Sequence, residues 1–116
     1  MATVYGIKSC DTCRKALKWL EHAGVEATFH DFRRDGVPAA LDNWLTQLGA
    51  AELVNRRSTT WRQLDEQQRQ RADTDAAALL REQPTLIRRP VLETGDRVVV
   101  GFREADYRAA LGVDQP

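Results

Sequence analysis

The sequence predicts an α/β domain with a mixed β-sheet in the order β-α-β … β-β-α, helices packed against it, and a helical insertion between the halves. Three observations predict it. A β-α-β pattern fits within the first 30 or so residues, the size of a parallel crossover unit. A strand-turn-strand pattern follows Pro90 and leads into a last helix. Between them, about residues 37–84, apolar residues recur at helical spacing in a polar background. No repeat, low-complexity tract or linker interrupts the chain, so residues 1–116 are expected to form a single domain.

Thr3-Val4-Tyr5-Gly6-Ile7 is rich in β-formers and reads as a short strand. After Lys8-Ser9 an amphipathic helix is expected from near Asp11, because Ala16, Leu17, Leu20 and Ala23 share one face, with Gly24 closing it. Val25, Ala27 and Phe29 then alternate with polar residues, the period of a half-buried strand. Leu41, Trp44, Leu45 and Leu48 repeat at i, i+3, i+4, i+7 between Pro38 and Gly49, which predicts a helix. Residues 50–85 lean helical, with apolar patches at Leu53-Val54 and at Trp61 and Leu64, and a helix from about Asp75 to Gln83 that Pro84 ends. Val91-Leu92, the turn Glu93-Thr94-Gly95-Asp96 and Val98-Val99-Val100 form a hairpin signature. The last helix carries Tyr107, Ala110 and Leu111 on one face and stops at Gly112.

The totals exclude several functions. Seventeen basic and seventeen acidic side chains cancel in a chain of 116 residues, so there is no broad positive field for direct nucleic-acid binding. Apolar stretches reach five residues at most, too short for a membrane span or a signal peptide, and a cytoplasmic location is the expectation.

The residues that promise chemistry are Cys10 and Cys13, the only cysteines in the chain. In a reducing compartment a pair this close is reactive or metal-binding rather than architectural. With the strand ending near Ile7 and the helix starting near Asp11, Cys10 falls at the helix N-cap and Cys13 in the first turn on the same side. Unpaired amides and the positive end of the helix dipole favour a thiolate there. Arg14 adds positive charge and Asp11 opposes it. A metal would need further ligands, yet His22 lies roughly 13 Å along the helix from Cys13, at 1.5 Å per residue. No metal is expected. Two inert buried thiols remain the plain alternative.

Arg88-Arg89-Pro90 precedes the strand at Val91, and a proline at the first position of a strand often marks a cis bond or a bend. The stretches "VYGIKSCDTCRKALKWLEHAGV", "FHDFRRDGVP", "TTWRQLD" and "LIRRPVL" with "VVVGF" together resemble the ArsC family, a thioredoxin-fold group holding arsenate reductases and Spx regulators, and within it the YffB-type members. The resemblance covers nearly the whole chain in one order.

It implies a thioredoxin-like fold with a helical insertion, and a thiol-disulfide oxidoreductase that is glutathione-dependent, with Cys10 as nucleophile. Cys13 or glutathione would resolve the mixed disulfide. It also implies that Arg89-Pro90 forms an oxyanion and cis-proline site, that Arg14 is the basic residue after the active-site loop, and that Arg57 joins the substrate or glutathione site. Glutathione would serve as co-substrate, with no tightly bound cofactor. Two alternatives follow from the same resemblance: an arsenate reductase, and an Spx-like redox-sensing regulator that docks on RNA polymerase. Arsenate reductases carry Asn-Pro before the loop and three arginines around the oxyanion. Here Ile7-Lys8 stands in the first place and Gly101-Phe102 about where the third arginine would be.

Overall fold

The computed structural model describes residues 2–113. Among them four strands form one sheet: β1 (Ala2–Gly6), β2 (Ala27–Asp31), β3 (Val91–Thr94) and β4 (Arg97–Val100), ordered β2-β1-β3-β4. β1 runs parallel to β2, with Val4 opposite Phe29, and antiparallel to β3, with Val4 opposite Leu92. The crossover from β1 to β2 is helix α1 (Asp11–His22). A strand pairing in parallel needs such a connection, so the first 31 residues commit the chain to it.

The end of α1 corrects the predicted start of the next strand. Val25 was expected to open it, but the Val25 N–H bonds the Leu20 carbonyl (3.0 Å) and the Gly24 N–H bonds that of Glu21 (3.1 Å). This is a Schellman closure, and it requires the left-handed backbone that Gly24 adopts at φ 75°. Val25 belongs to the helix end, and β2 begins two residues later. Ala27 and Thr28 are exposed because β2 is an edge strand.

The hairpin is tighter than its sequence suggested. Glu93 and Thr94 were assigned to the turn, yet both pair with β4, and only Gly95-Asp96 form the loop. Glu93 is held in the ladder by the Tyr5 hydroxyl, which donates to its Oε1 at 2.7 Å. Helix α2 (Phe32–Asp35), a single turn absent from the sequence reading, follows β2 directly, capped by the Asp31 side chain.

The chain divides into two compact units, one made of the stretch through Gly36 and the stretch from Arg89, the other of Val37–Arg88. In the first, Val4 of β1, Ala16 and Leu20 of α1, Leu92 of β3 and Tyr107 of the last helix form the core, all at 1% exposure or less. The second is helical: α3 (Leu41–Leu48), α4 (Ala50–Leu53), α5 (Thr59–Gln63), α6 (Glu66–Thr74), α7 (Ala76–Glu82) and a 3-10 turn at Pro84–Leu86. Trp44, Leu53, Leu79, Leu80 and Ile87 are fully buried. Asp65 and Gln68 make a capping box at α6, a helix the sequence reading left unassigned within the helix-leaning stretch before α7. The final helix, α8 (Glu104–Leu111), buries Tyr107 completely, while Ala110 and Leu111 are half-buried.

The β-α-β and β-β-α halves around one mixed sheet constitute the thioredoxin-like fold. Among the described residues no helix is long and apolar enough to cross a membrane.

Candidate active site

β1 ends at Gly6, and the chain turns through Ile7–Cys10, closed by the Cys10 N–H on the Ile7 carbonyl at 3.0 Å. Asp31, at the end of the neighbouring β2, fixes this turn from the side. Its carboxylate accepts from the Lys8 N–H (3.1 Å) and caps α2 through the Arg33 N–H (2.8 Å) and Arg34 N–H (3.3 Å). Burial raises the Asp31 carboxyl, but these three donors outweigh it and hold it below the usual carboxylate range. Sequence reasoning missed Asp31. The available signal was an aspartate one residue before a short helical turn, the usual N-cap pattern.

Cys10 is the N-cap residue of α1, in extended conformation and half-buried. Its sulfur closes no capping bond of ordinary geometry, yet the N–H groups of Cys13 and Thr12 bear on it, as do the Cys13 thiol and the Arg89 side chain. Burial works to raise the Cys10 pKa. The donors win, so the thiol is held below its ordinary value and the thiolate is favoured.

Cys13 is the opposite case. It is fully buried, and that burial pushes its thiol up to about 12; the Cys10 sulfur adds to the rise, while the Ile7 N–H and the Arg89 charge only moderate it. Cys13 is therefore placed as a neutral S–H donor to the Cys10 sulfur, whose thiolate form that bond favours. Its seat depends on Gly6, because a Cβ built at Gly6 falls on the Cys13 sulfur and 3.7 Å from Phe29 Cε1. Only glycine allows this approach of side chain to strand.

The Arg89–Pro90 peptide is cis, Pro90 is buried, and the Pro90 carbonyl accepts from the Gly101 N–H at 2.8 Å. Of the residues picked from sequence, Cys10, Cys13, Arg89 and Pro90 belong to one unit, with Arg89 acting on both sulfurs. Arg14 is exposed and paired with Asp11, so its guanidinium is engaged on the helix surface. Arg57 belongs to the helical unit, where it is exposed and its N–H bonds Asn55 Oδ1 at 3.1 Å. At the positions compared with the arsenate reductase pattern, Ile7 is buried, Lys8 is exposed, and Phe102 packs edge-on against Tyr107 at 4.9 Å. Among the described residues no group of three or more His, Cys, Asp or Glu side chains could hold a metal ion.

This arrangement can present a thiolate to an electrophilic sulfur. The chain is 50% identical to an uncharacterized protein of Haemophilus influenzae, over 96% of this chain and 99% of that protein. It is 30% identical to the global transcriptional regulator Spx of Streptococcus pyogenes, over 98% of this chain and 87% of that one. Among solved structures it is similar to a YffB protein (43% identity, TM-score 0.87, 96% of this chain and 99% of that one). It is also similar to an arsenate reductase related protein of Brucella melitensis (41% identity, TM-score 0.70, 97% and 95%). The ArsC family matches residues 5–110, nearly all of what the structure describes, and to that family the chain belongs.

Proposed function

We propose that the protein is a thiol-disulfide oxidoreductase, a glutathione-dependent thiol reductase in which Cys10 is the nucleophile. The observation that carries this reading is the environment of the Cys10 sulfur, where a helix start, a neutral thiol and an arginine converge and lower its pKa. The Cys10 thiolate attacks one sulfur of a disulfide. A new S–S bond joins Cys10 to one half, and the other half leaves as a thiolate that takes a proton from solvent. Cys10 is thereby oxidised and the departing half reduced. Glutathione then attacks the bound half, forms a disulfide with it and releases Cys10 as a thiolate; Cys13 would instead attack the Cys10 sulfur, release the bound half as a thiolate and leave a Cys10–Cys13 disulfide for glutathione to reduce. The burial and raised pKa of Cys13 favour glutathione for that step, since the attacking group must be a thiolate.

A second reading, a redox-sensing regulator acting through RNA polymerase, is favoured by the identity to Spx together with the Cys10–Cys13 spacing. Arsenate reduction has less support, because Arg89 alone among the arginines named from sequence acts on the sulfur and Phe102 stands where a third arginine is wanted.

Turnover of a glutathione mixed disulfide by wild type and by Cys10→Ser tests the proposal. Wild-type turnover saturable in glutathione and lost in Cys10→Ser is the expected result. No turnover, combined with redox-dependent capture of RNA polymerase, would replace the enzyme with the regulator.

A further inference from the structure

A groove of about 310 Å³ runs along the first unit beside the cysteine pair, within the range of small-ligand sites. Its floor is apolar, made by Ile7, Leu17 and Phe29, and its rim carries Lys8, Arg14 and Arg34. No carboxylate lines it. The buried Cys13 is among its lining residues, and the Cys13 thiol is the donor to Cys10, so the groove adjoins the cysteine pair. The site described above used Arg89 and Pro90 and left this groove unassigned.

The three rim cations are not equivalent. Arg14 is paired with Asp11, and Arg34 is held by Asp35 at 2.7 Å, with its NH2 group also donating to the Phe29 carbonyl at 3.2 Å. Asp31 spends its oxygens on backbone N–H groups. Lys8 makes no ion pair among the described residues, is exposed, and lies two positions before Cys10. It is the cation available to a ligand, with Arg34 behind it. An apolar floor with a cationic lip selects a molecule that has a flat hydrophobic body and an acidic end.

We propose that this groove is the binding site for the disulfide substrate, and that the substrate is a small acidic disulfide with an aromatic or bulky apolar body. The body rests on Ile7, Leu17 and Phe29, the carboxylate meets Lys8, and the S–S bond reaches out of the groove to the half-buried Cys10, two positions beyond Lys8. The proposal rests on the reading of Cys10 as a disulfide-cleaving nucleophile. It adds what the nucleophile cleaves: a thiolate alone does not discriminate by charge, and the groove does.

Single-turnover reaction of the reduced protein with three probes tests it: 5,5′-dithiobis(2-nitrobenzoate), which is aromatic and anionic; 4,4′-dithiodipyridine, aromatic and neutral; and cystamine, aliphatic and cationic. Each rate is divided by that of free glutathione thiolate with the same probe, which removes the intrinsic reactivity of the disulfide. The expected order is anionic aromatic, neutral aromatic, cationic aliphatic, with roughly ten-fold or more between the first and last, the equivalent of one good charge contact. Lys8→Glu should reverse the anion-to-cation preference, and Phe29→Ala should lower both aromatic rates several-fold. Lys18→Glu, the same charge reversal on an exposed α1 residue outside the groove, should leave the preference at wild type. Equal normalised rates for the three probes, or a preference that Lys8→Glu leaves unchanged, would overturn the groove while leaving a thiol reductase intact. If no probe is cleaved faster than by glutathione itself, the reductase reading falls and the groove falls with it.

Discussion

The Cys13 sulfur occupies the place where a side chain on Gly6 would begin. That contact couples the last residue of β1 to the cysteine pair, because the sulfur seated there is a donor to Cys10. Gly6→Ala should displace it, raise the pH midpoint of Cys10 alkylation, and cost about 1–3 kcal/mol of stability by overpacking. In a Cys13→Ala background the added methyl meets no sulfur, and the same substitution should move neither quantity appreciably. Iodoacetamide labelling against pH and thermal melting of the four proteins measure this; equal effects of Gly6→Ala in both backgrounds would contradict the coupling.

Cys13 also predicts an alkaline weakness. Its thiol ionises near its ordinary value of about 8.5 in the unfolded chain and at about 12 in the folded one. A group whose pKa is raised by folding contributes stability that is complete below the unfolded value and is lost as pH rises toward the folded value. Between pH 9 and 11 the wild-type Tm should therefore fall faster than that of Cys13→Ala, by up to about 5 °C per pH unit. Parallel curves for the two proteins would show that Cys13 is not buried as a neutral thiol.

Arg89 and Arg88 are neighbours with different roles. Arg89 acts on both sulfurs and precedes the buried Pro90, whereas Arg88 is exposed and its N–H bonds the Leu53 carbonyl at 2.8 Å. Arg89→Ala should raise the Cys10 alkylation midpoint and raise the glutathione KM several-fold, about 1–2 kcal/mol of charge-assisted bonding. Arg88→Ala should change neither. Identical behaviour of the two variants in steady-state kinetics would remove Arg89 from the site.

Tyr107 is buried completely between Trp19 and Phe102, and its hydroxyl has no hydrogen-bond partner among the described residues. An unsatisfied buried hydroxyl costs free energy that a phenyl ring does not. Tyr107→Phe should leave stability unchanged or raise it, by about 1 kcal/mol at most. A drop of several degrees on melting would reveal a partner for that hydroxyl.

The order of elements along the chain and the helical insertion were legible because β-α-β spacing, the Pro38–Gly49 bracket and the hairpin run are local signals. The turn at Ile7–Cys10 was legible too, since it sits between a β-rich run and a helical period. What stayed hidden depends on contacts distant in sequence. Gly6 looks like an ordinary strand glycine until Cys13 folds back over it, and Asp31 is 23 residues from the Lys8 amide it accepts from. Arg14 stands in the right place for a basic residue beside the loop, yet the carboxylate three positions earlier takes its charge. Val25 was given to a strand because its alternation fits one, but the hydrogen bond to Leu20 assigns it to the helix end.

The central claim is that Cys10, and not Cys13, is a thiolate at neutral pH and the atom that attacks disulfides. Competitive alkylation of the reduced protein across pH 5 to 10, read site by site by mass spectrometry, addresses it most directly. Cys10 should label first, with a midpoint below that of free glutathione, while Cys13 stays unlabelled until the fold is opened. Labelling of Cys13 ahead of Cys10, or a Cys10 midpoint at or above that of free glutathione, would contradict the account.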